Sequence, residues 1–127
     1  MDTYLHPSPE QIEAIRTLDH DGPITMLNLL RFKPDGGREQ YEAYGRAAQP
    51  FVAGVGAGVR YLGEVAATVI GGEPWDLVVL VDYPSSDAFF AMATNPDYPA
   101  ELRTDALLDS RLYCMVGGSP AALGEET

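Results

Sequence analysis

At 127 residues the chain has the length of one domain, and its 46% apolar and 21% charged composition is that of a globular protein with a core. Nineteen acidic against eight basic residues give a net charge of −11, so no basic footprint is present to hold nucleic acid or an anionic membrane. One cysteine, Cys114, excludes an internal disulfide; no signal-peptide pattern or membrane-length apolar run occurs, and a soluble, cytoplasmic protein is expected.

In chain order, Ser8 reads as an N-cap with Pro9 at the first helical position, and Ile12, Ile15 and Leu18 follow at helical spacing. Asp19-His20-Asp21-Gly22-Pro23 breaks that helix. Ile24 to Phe32 predicts a strand with Met26, Asn28 and Leu30 on one face and Leu27, Leu29 and Arg31 on the other. A helix is predicted from about Arg38 to Val52, with Tyr41, Tyr44, Ala48 and Phe51 as its apolar stripe and Pro50 as a kink or loose last turn. Val59 to Ile70 reads as a second strand, Gly63 within it as a bulge or close approach, and Gly71-Gly72-Glu73-Pro74 as a hairpin turn. Trp75 to Tyr83 is the third strand. Pro84-Ser85-Ser86-Asp87 caps a helix that buries Ala88, Phe89 and Met92. After Asn95-Pro96-Asp97, Pro99 to Asp109 reads as helical and Arg111 to Val116 as the fourth strand.

A leading helix followed by β-α-β-β-α-β predicts an α+β, ferredoxin-like fold, a four-stranded antiparallel sheet with helices on one face. The expected organisation is a helix and loop over 1–22, the domain over 23–117 and a flexible tail over 118–127. Leu77, Val79 and Val81 join the Met26 face, while Val78, Leu80 and Leu112 are assigned to the Leu27 face. Both faces are apolar and helices cover one, so a second copy is expected on the other, pairing two sheets as a dimeric α/β barrel.

Asn28 is the sharpest candidate, because a buried amide without partners costs about 1–3 kcal/mol. Either it orients a substrate oxygen in a pocket between sheet and helices, or it is pinned to a loop or across a dimer. Arg103 either clamps a substrate carboxylate or pairs with a neighbouring acid such as Asp109. Tyr44, Tyr61, Tyr83 and Tyr98 supply phenol groups, as side-chain filling or as acids. Glu64 is a base if its surroundings are apolar, and a solvated edge residue if they are not. Met26, Phe89 and Trp75 are the apolar candidates for contact with substrate. His6 and His20 precede the domain and no metal-ligand spacing occurs, so no metal and no cofactor are expected. His20 is either a base near the first strand or a solvated turn residue. Gly54-Val55-Gly56-Ala57-Gly58 lies between helix and strand, the wrong order for a phosphate loop. Cys114 is read as a small buried hydrophobe.

Several segments occur together in a telling order: Gly22-Pro23 before Met26-Leu27-Asn28-Leu29-Leu30-Arg31-Phe32, Tyr41-Glu42-Ala43-Tyr44, Tyr61-Leu62-Gly63, Trp75-Asp76, Asp82-Tyr83-Pro84-Ser85, Asn95-Pro96-Asp97-Tyr98 with Arg103, and Leu108-Asp109-Ser110. In this the chain resembles, from about Pro23 to Val116, the family called domain of unknown function 1330 in the dimeric α+β barrel superfamily. The resemblance implies a ferredoxin-like homodimer and carries no established catalytic residue. The wider superfamily includes cofactor-independent monooxygenases, lactone isomerases, polyketide cyclases and haem-degrading enzymes, the last relying on a helix histidine that this chain lacks. The expectation is a cofactor-independent enzyme acting on an apolar or aromatic molecule through Asn28, Arg103, Tyr98 and Glu64, with Tyr44, Met26, Phe89 and Trp75 in contact with it. The alternative is a non-catalytic small-molecule-binding or structural homodimer.

Overall fold

The computed structural model describes residues 2–117, and the expected tail over 118–127 lies outside them. At its centre is β1 (Ile24–Phe32), whose apolar residues on both sides suit a strand buried between neighbours. It pairs antiparallel with β3 (Leu77–Tyr83) on one side and β4 (Leu107–Met115) on the other. β2 (Gly58–Glu64) completes the order β2-β3-β1-β4. The helices are α1 (Pro9–Arg16), α2 (Gly37–Gly54), α3 (Ser86–Ala93) and α4 (Ala100–Ala106). The predicted α+β, ferredoxin-like fold is therefore present, and no helix among the described residues is long and apolar enough to cross a membrane.

Ser8 caps α1 through a reciprocal pair, its Oγ accepting from Gln11 N at 3.1 Å while Gln11 Oε1 accepts from Ser8 N at 2.8 Å. The helix stops at Arg16, so Leu18 is left exposed. Pro50 is carried inside α2, which continues to Gly54.

Several boundaries differ from expectation, and β3 opens at Leu77 instead of Trp75. β2 ends at Glu64, and residues 65–76 leave the sheet instead of continuing it to Ile70. Pairing with β3 stops there, so the β-branched run beyond has no ladder to join. The last helix ends at Ala106 and β4 begins at Leu107, because Asp109 is drawn into the sheet end as an acceptor for Tyr4 N at 2.8 Å. The bulge in the β2 ladder falls between Val59 and Tyr61; Gly63 is the close approach, where a Cβ would run into the Tyr61 ring.

The helix-facing side of the sheet holds the core: Ile24, Met26, Leu30, Leu77, Val79, Val81 and Tyr83, closed by Met92 and Leu107. On the other side, Leu27, Leu29, Val78 and Leu80 remain partly exposed, with Tyr61 and Tyr113 at 57% and 49% exposure. Among the described residues no helix covers this bare face. Leu112 is not part of it: it opposes Asn28 across the ladder, and Tyr113 opposes Leu27. Cys114, expected to be buried, is exposed on the edge strand β4.

Candidate functional site

β1 turns Asn28 toward the helices in the middle of an otherwise apolar row, and the residue is only 7% exposed. Its Nδ2 donates to the Val79 carbonyl at 3.3 Å, and its Oδ1 accepts from Arg103 Nη2 at 3.1 Å. Arg103 arrives from α4, which is held against α2 by close contact at Gly37. A Cβ on Gly37 would lie 2.7 Å from the Ala106 carbonyl oxygen, so only glycine allows the two helix ends to approach this closely.

α2 contributes Tyr41 and Tyr44 at helical spacing, ring centroids 5.3 Å apart. The Tyr44 hydroxyl is hydrogen-bonded to that of Tyr98, and Phe51 packs edge-on to Tyr98 with centroids 6.0 Å apart. Burial pushes the Tyr41 phenol up to about 12, the Tyr44 neighbour adding to the rise and the Arg103 charge opposing it. Tyr83 and Tyr98 are also raised, first by loss of water and then by the neighbouring phenols. These groups are neutral donors at ordinary pH. Some of these hydroxyls are already partnered, that of Tyr83 donating to Met92 Sδ at 3.9 Å and those of Tyr44 and Tyr98 bonding to each other.

Arg38 pairs with Glu64, Arg60 with Asp82, and Arg111 with Asp109 and Glu73, whereas Arg16, Arg31, Arg46 and Arg103 make no ion pair among the described residues. Among the described residues Arg103 has no carboxylate within 4.0 Å, so the expected alternative of a pair with Asp109 does not occur. Asp109 is taken by Arg111 at 2.8 Å.

Beside this network a groove of about 510 Å³ runs between α2 and β2, walled by Phe32, Tyr41, Leu62 and Leu77, with Arg38 and Arg46 among its polar lining. Tyr41 joins the two places: it lines the groove, and its ring lies against that of Tyr44. Among the described residues no group of three or more His, Cys, Asp or Glu is placed to hold a metal ion.

The structure thus pairs Asn28 with Arg103 and Tyr44 with Tyr98, none of which lines the groove, and leaves other candidates elsewhere. Met26 is in the core, and Phe89 packs edge-on to Tyr83 with centroids 5.3 Å apart. Glu64 lies on the groove rim, paired with Arg38 at 2.6 Å and 66% exposed, because β2 is an edge strand. Trp75 is turned away: its ring covers the Arg111 guanidinium at 5.0 Å, and Arg111 opposes Leu29 on the bare-face row. Tyr61 also lies on that face. His20 forms a turn contact, its Nε2 3.0 Å from the Pro23 carbonyl oxygen. Two features escaped the sequence reading. Tyr41 is more than part of the apolar stripe, and its spacing from Tyr44 is the sequence signal for that. The cluster in which Arg111 bridges Asp109 and Glu73 between the Tyr4 and Trp75 rings had no local pattern to reveal it.

No protein-family model and no curated protein matches the chain. Solved structures do. The RPA0582 protein of Rhodopseudomonas palustris, in methylated form, is 37% identical over 94% of this chain and 98% of its own, with a TM-score of 0.86. A second crystal structure of it, described as a protein of unknown function, gives 35% identity over 94% and 100% of the two chains, with a TM-score of 0.84. The chain belongs to the RPA0582 family. More distant structures share the fold. One, from Caulobacter crescentus and provisionally assigned as an antibiotic biosynthesis monooxygenase, is 17% identical over 78% of this chain and 92% of its own, at TM-score 0.61. Another, from Jannaschia, is described as a dimeric ferredoxin-like protein of unknown function and is 13% identical over 76% and 100%, also at 0.61. The RPA0582 family is thus one branch of a fold whose members include proteins described as dimeric.

Proposed function

We propose that this chain is a cofactor-independent enzyme of oxygenase, isomerase or cyclase type. It acts on an apolar or aromatic molecule seated between sheet and helices, against Phe32, Leu77 and Tyr41. The observation that carries this reading is Arg103: a partly buried guanidinium hydrogen-bonded to a buried amide, with no carboxylate within 4.0 Å among the described residues of a chain with nineteen acids. Such a group is poised for a ligand oxygen. Asn28 positions it, and Tyr98, with Tyr44 behind it, donates a neutral hydrogen bond to the same oxygen. Glu64 and Glu42, at the groove, are the carboxylates within reach of a bound molecule.

The alternative, a non-catalytic binding module, is favoured by one feature. The network of Asn28, Arg103 and the tyrosines holds no carboxylate or imidazole, the side chains that most often serve as general bases. We also infer that the chain belongs with domain of unknown function 1330, that it is cytoplasmic, and that two copies pair through their bare faces; the motif order supports the first and the dimeric neighbours the last.

The test is a panel of aromatic ketones and carboxylic acids, followed by calorimetry for binding and by mass spectrometry and oxygen uptake for turnover. Arg103→Lys, which keeps a cationic donor for the Asn28 Oδ1 but loses the planar fork, is expected to weaken binding about 10-fold while the melting temperature stays within a few degrees of the parent. Product formation by the parent and its loss in the variant support the enzyme; binding without product supports the module. A melting temperature that collapses together with binding would make Arg103 a structural residue.

A further inference from the structure

We propose that residues 65–76 form an arm that clasps a second copy of this chain, with Val69 and Ile70 buried only in the dimer. The proposal rests on the face-to-face pairing inferred above and adds to it a second element of contact.

The arm has a fixed root. Val65 N donates to the Asp76 carbonyl at 2.9 Å, Asp76 N donates to the Leu30 carbonyl at 2.8 Å, and Phe32 N donates to Asp76 Oδ2 at 2.9 Å. Its tip is bare: Val69 is 92% and Ile70 95% exposed, two adjacent β-branched residues that touch almost nothing of their own chain. Single exposed apolar residues are ordinary, but a rigidly rooted pair is a contact surface in search of cover.

Charge indicates which partner supplies that cover. From Val65 to Gly72 no side chain is ionisable, although the chain carries −11. A partner recognised through charge would find nothing here to recognise. A second copy, equally acidic, meets this stretch without bringing acid against acid.

Area gives the same answer. The strands are seven to nine residues long. Four of them at about 4.8 Å spacing and about 3.3 Å per residue offer a flat face of about 500 Å². Thr25, Asp82 and Arg111 occupy part of it. A stable dimer removes about 800 Å² of accessible surface from each partner, which leaves room for a second apolar element beside a face of this footprint. The arm supplies further apolar surface and is continuous with that face, since Gly63 and Val78 pair on it just before the arm leaves and just after it returns.

The test uses the full chain in sedimentation velocity and native mass spectrometry at micromolar concentration, parent against the double variant Val69→Asp, Ile70→Asp. The tip touches almost nothing within its own chain, so circular dichroism is expected to stay unchanged while the dimer dissociation constant rises about 100-fold. A parent dimer with a variant that dimerises equally tightly overturns the arm and leaves the face pairing standing. A monomeric parent overturns both and makes the bare tip a surface for another protein. Should the variant not fold, amide hydrogen exchange of the parent decides. Protection of residues 66–72 that disappears on dilution supports the arm, and fast exchange at all concentrations overturns it.

Discussion

Tyr41, Tyr83 and Tyr98 share one consequence of burial, a phenol that keeps its proton where a free tyrosine has lost it. For Tyr41 the folded value is about 12 against 10.0 in the exposed chain. The unfolded state therefore releases its proton first as pH rises, so the stabilising contribution is complete below about pH 10 and is lost progressively toward about 12. Urea unfolding is expected to give a flat free energy between about pH 7 and pH 9 and a decline above about pH 10. Tyr41→Phe should make that decline shallower, and an unchanged slope in the variant would contradict the burial argument. At the acid end the sign reverses. Burial by itself would raise the Asp109 carboxyl, but the Tyr4 N–H, the Arg111 guanidinium and the Ser110 N–H together hold it below the usual range. Its contribution is present above about pH 4 and lost as pH falls through that lowered value.

Among the elements, α2 and α4 matter most, since one carries Tyr41 and Tyr44 and the other Arg103. Their contact at Gly37 leaves no room for a methyl group: besides the Ala106 carbonyl, a Cβ would come within 3.1 Å of Phe32 Cβ. Gly37→Ala is expected to cost about 1–3 kcal/mol by urea denaturation and to weaken binding at the network by moving Arg103 relative to the tyrosines. If binding weakens no more than in a distant variant of equal stability, the contact does not set the site. The same elements show what the sequence could disclose. β1, α2 and β3 were legible because their apolar periods are local and long. Asn28 was visible as a lone amide in an apolar row, but its partner Arg103 lies seventy-five residues away, and no spacing rule connects them. The run Val65–Ile70 has the hydrophobicity of a strand, but the pairing with β3 ends at Glu64 and the run stays outside the ladder. The β4 boundary was misplaced because the acceptor role of Asp109 depends on Tyr4, 105 residues distant.

For the molecule as a whole, the surplus of acid is the dominant long-range term. Two copies each carrying −11 repel until salt screens them, with a Debye length of about 8 Å at physiological ionic strength. Self-association is therefore expected to tighten as sodium chloride rises from low to physiological concentration, read as a falling dissociation constant in sedimentation equilibrium. A dimer that loosens with salt would mean that ion pairs, not apolar faces, hold it.

The alternation of β1 binds these scales together. Asn28 points into the helices while Leu27 and Leu29, one step to either side, point out to the bare face. Successive residues lie about 3.3 Å apart along a strand, so the backbone of one ribbon separates the two surfaces. A slip of a single position would set a leucine against the Arg103 guanidinium and carry the amide outward into the apolar face, spoiling both at once. The reading frame of this strand against its neighbours is thus a shared specification: whatever fixes the inner hydrogen-bond network also fixes the outer apolar face, and neither surface can drift in register without the other.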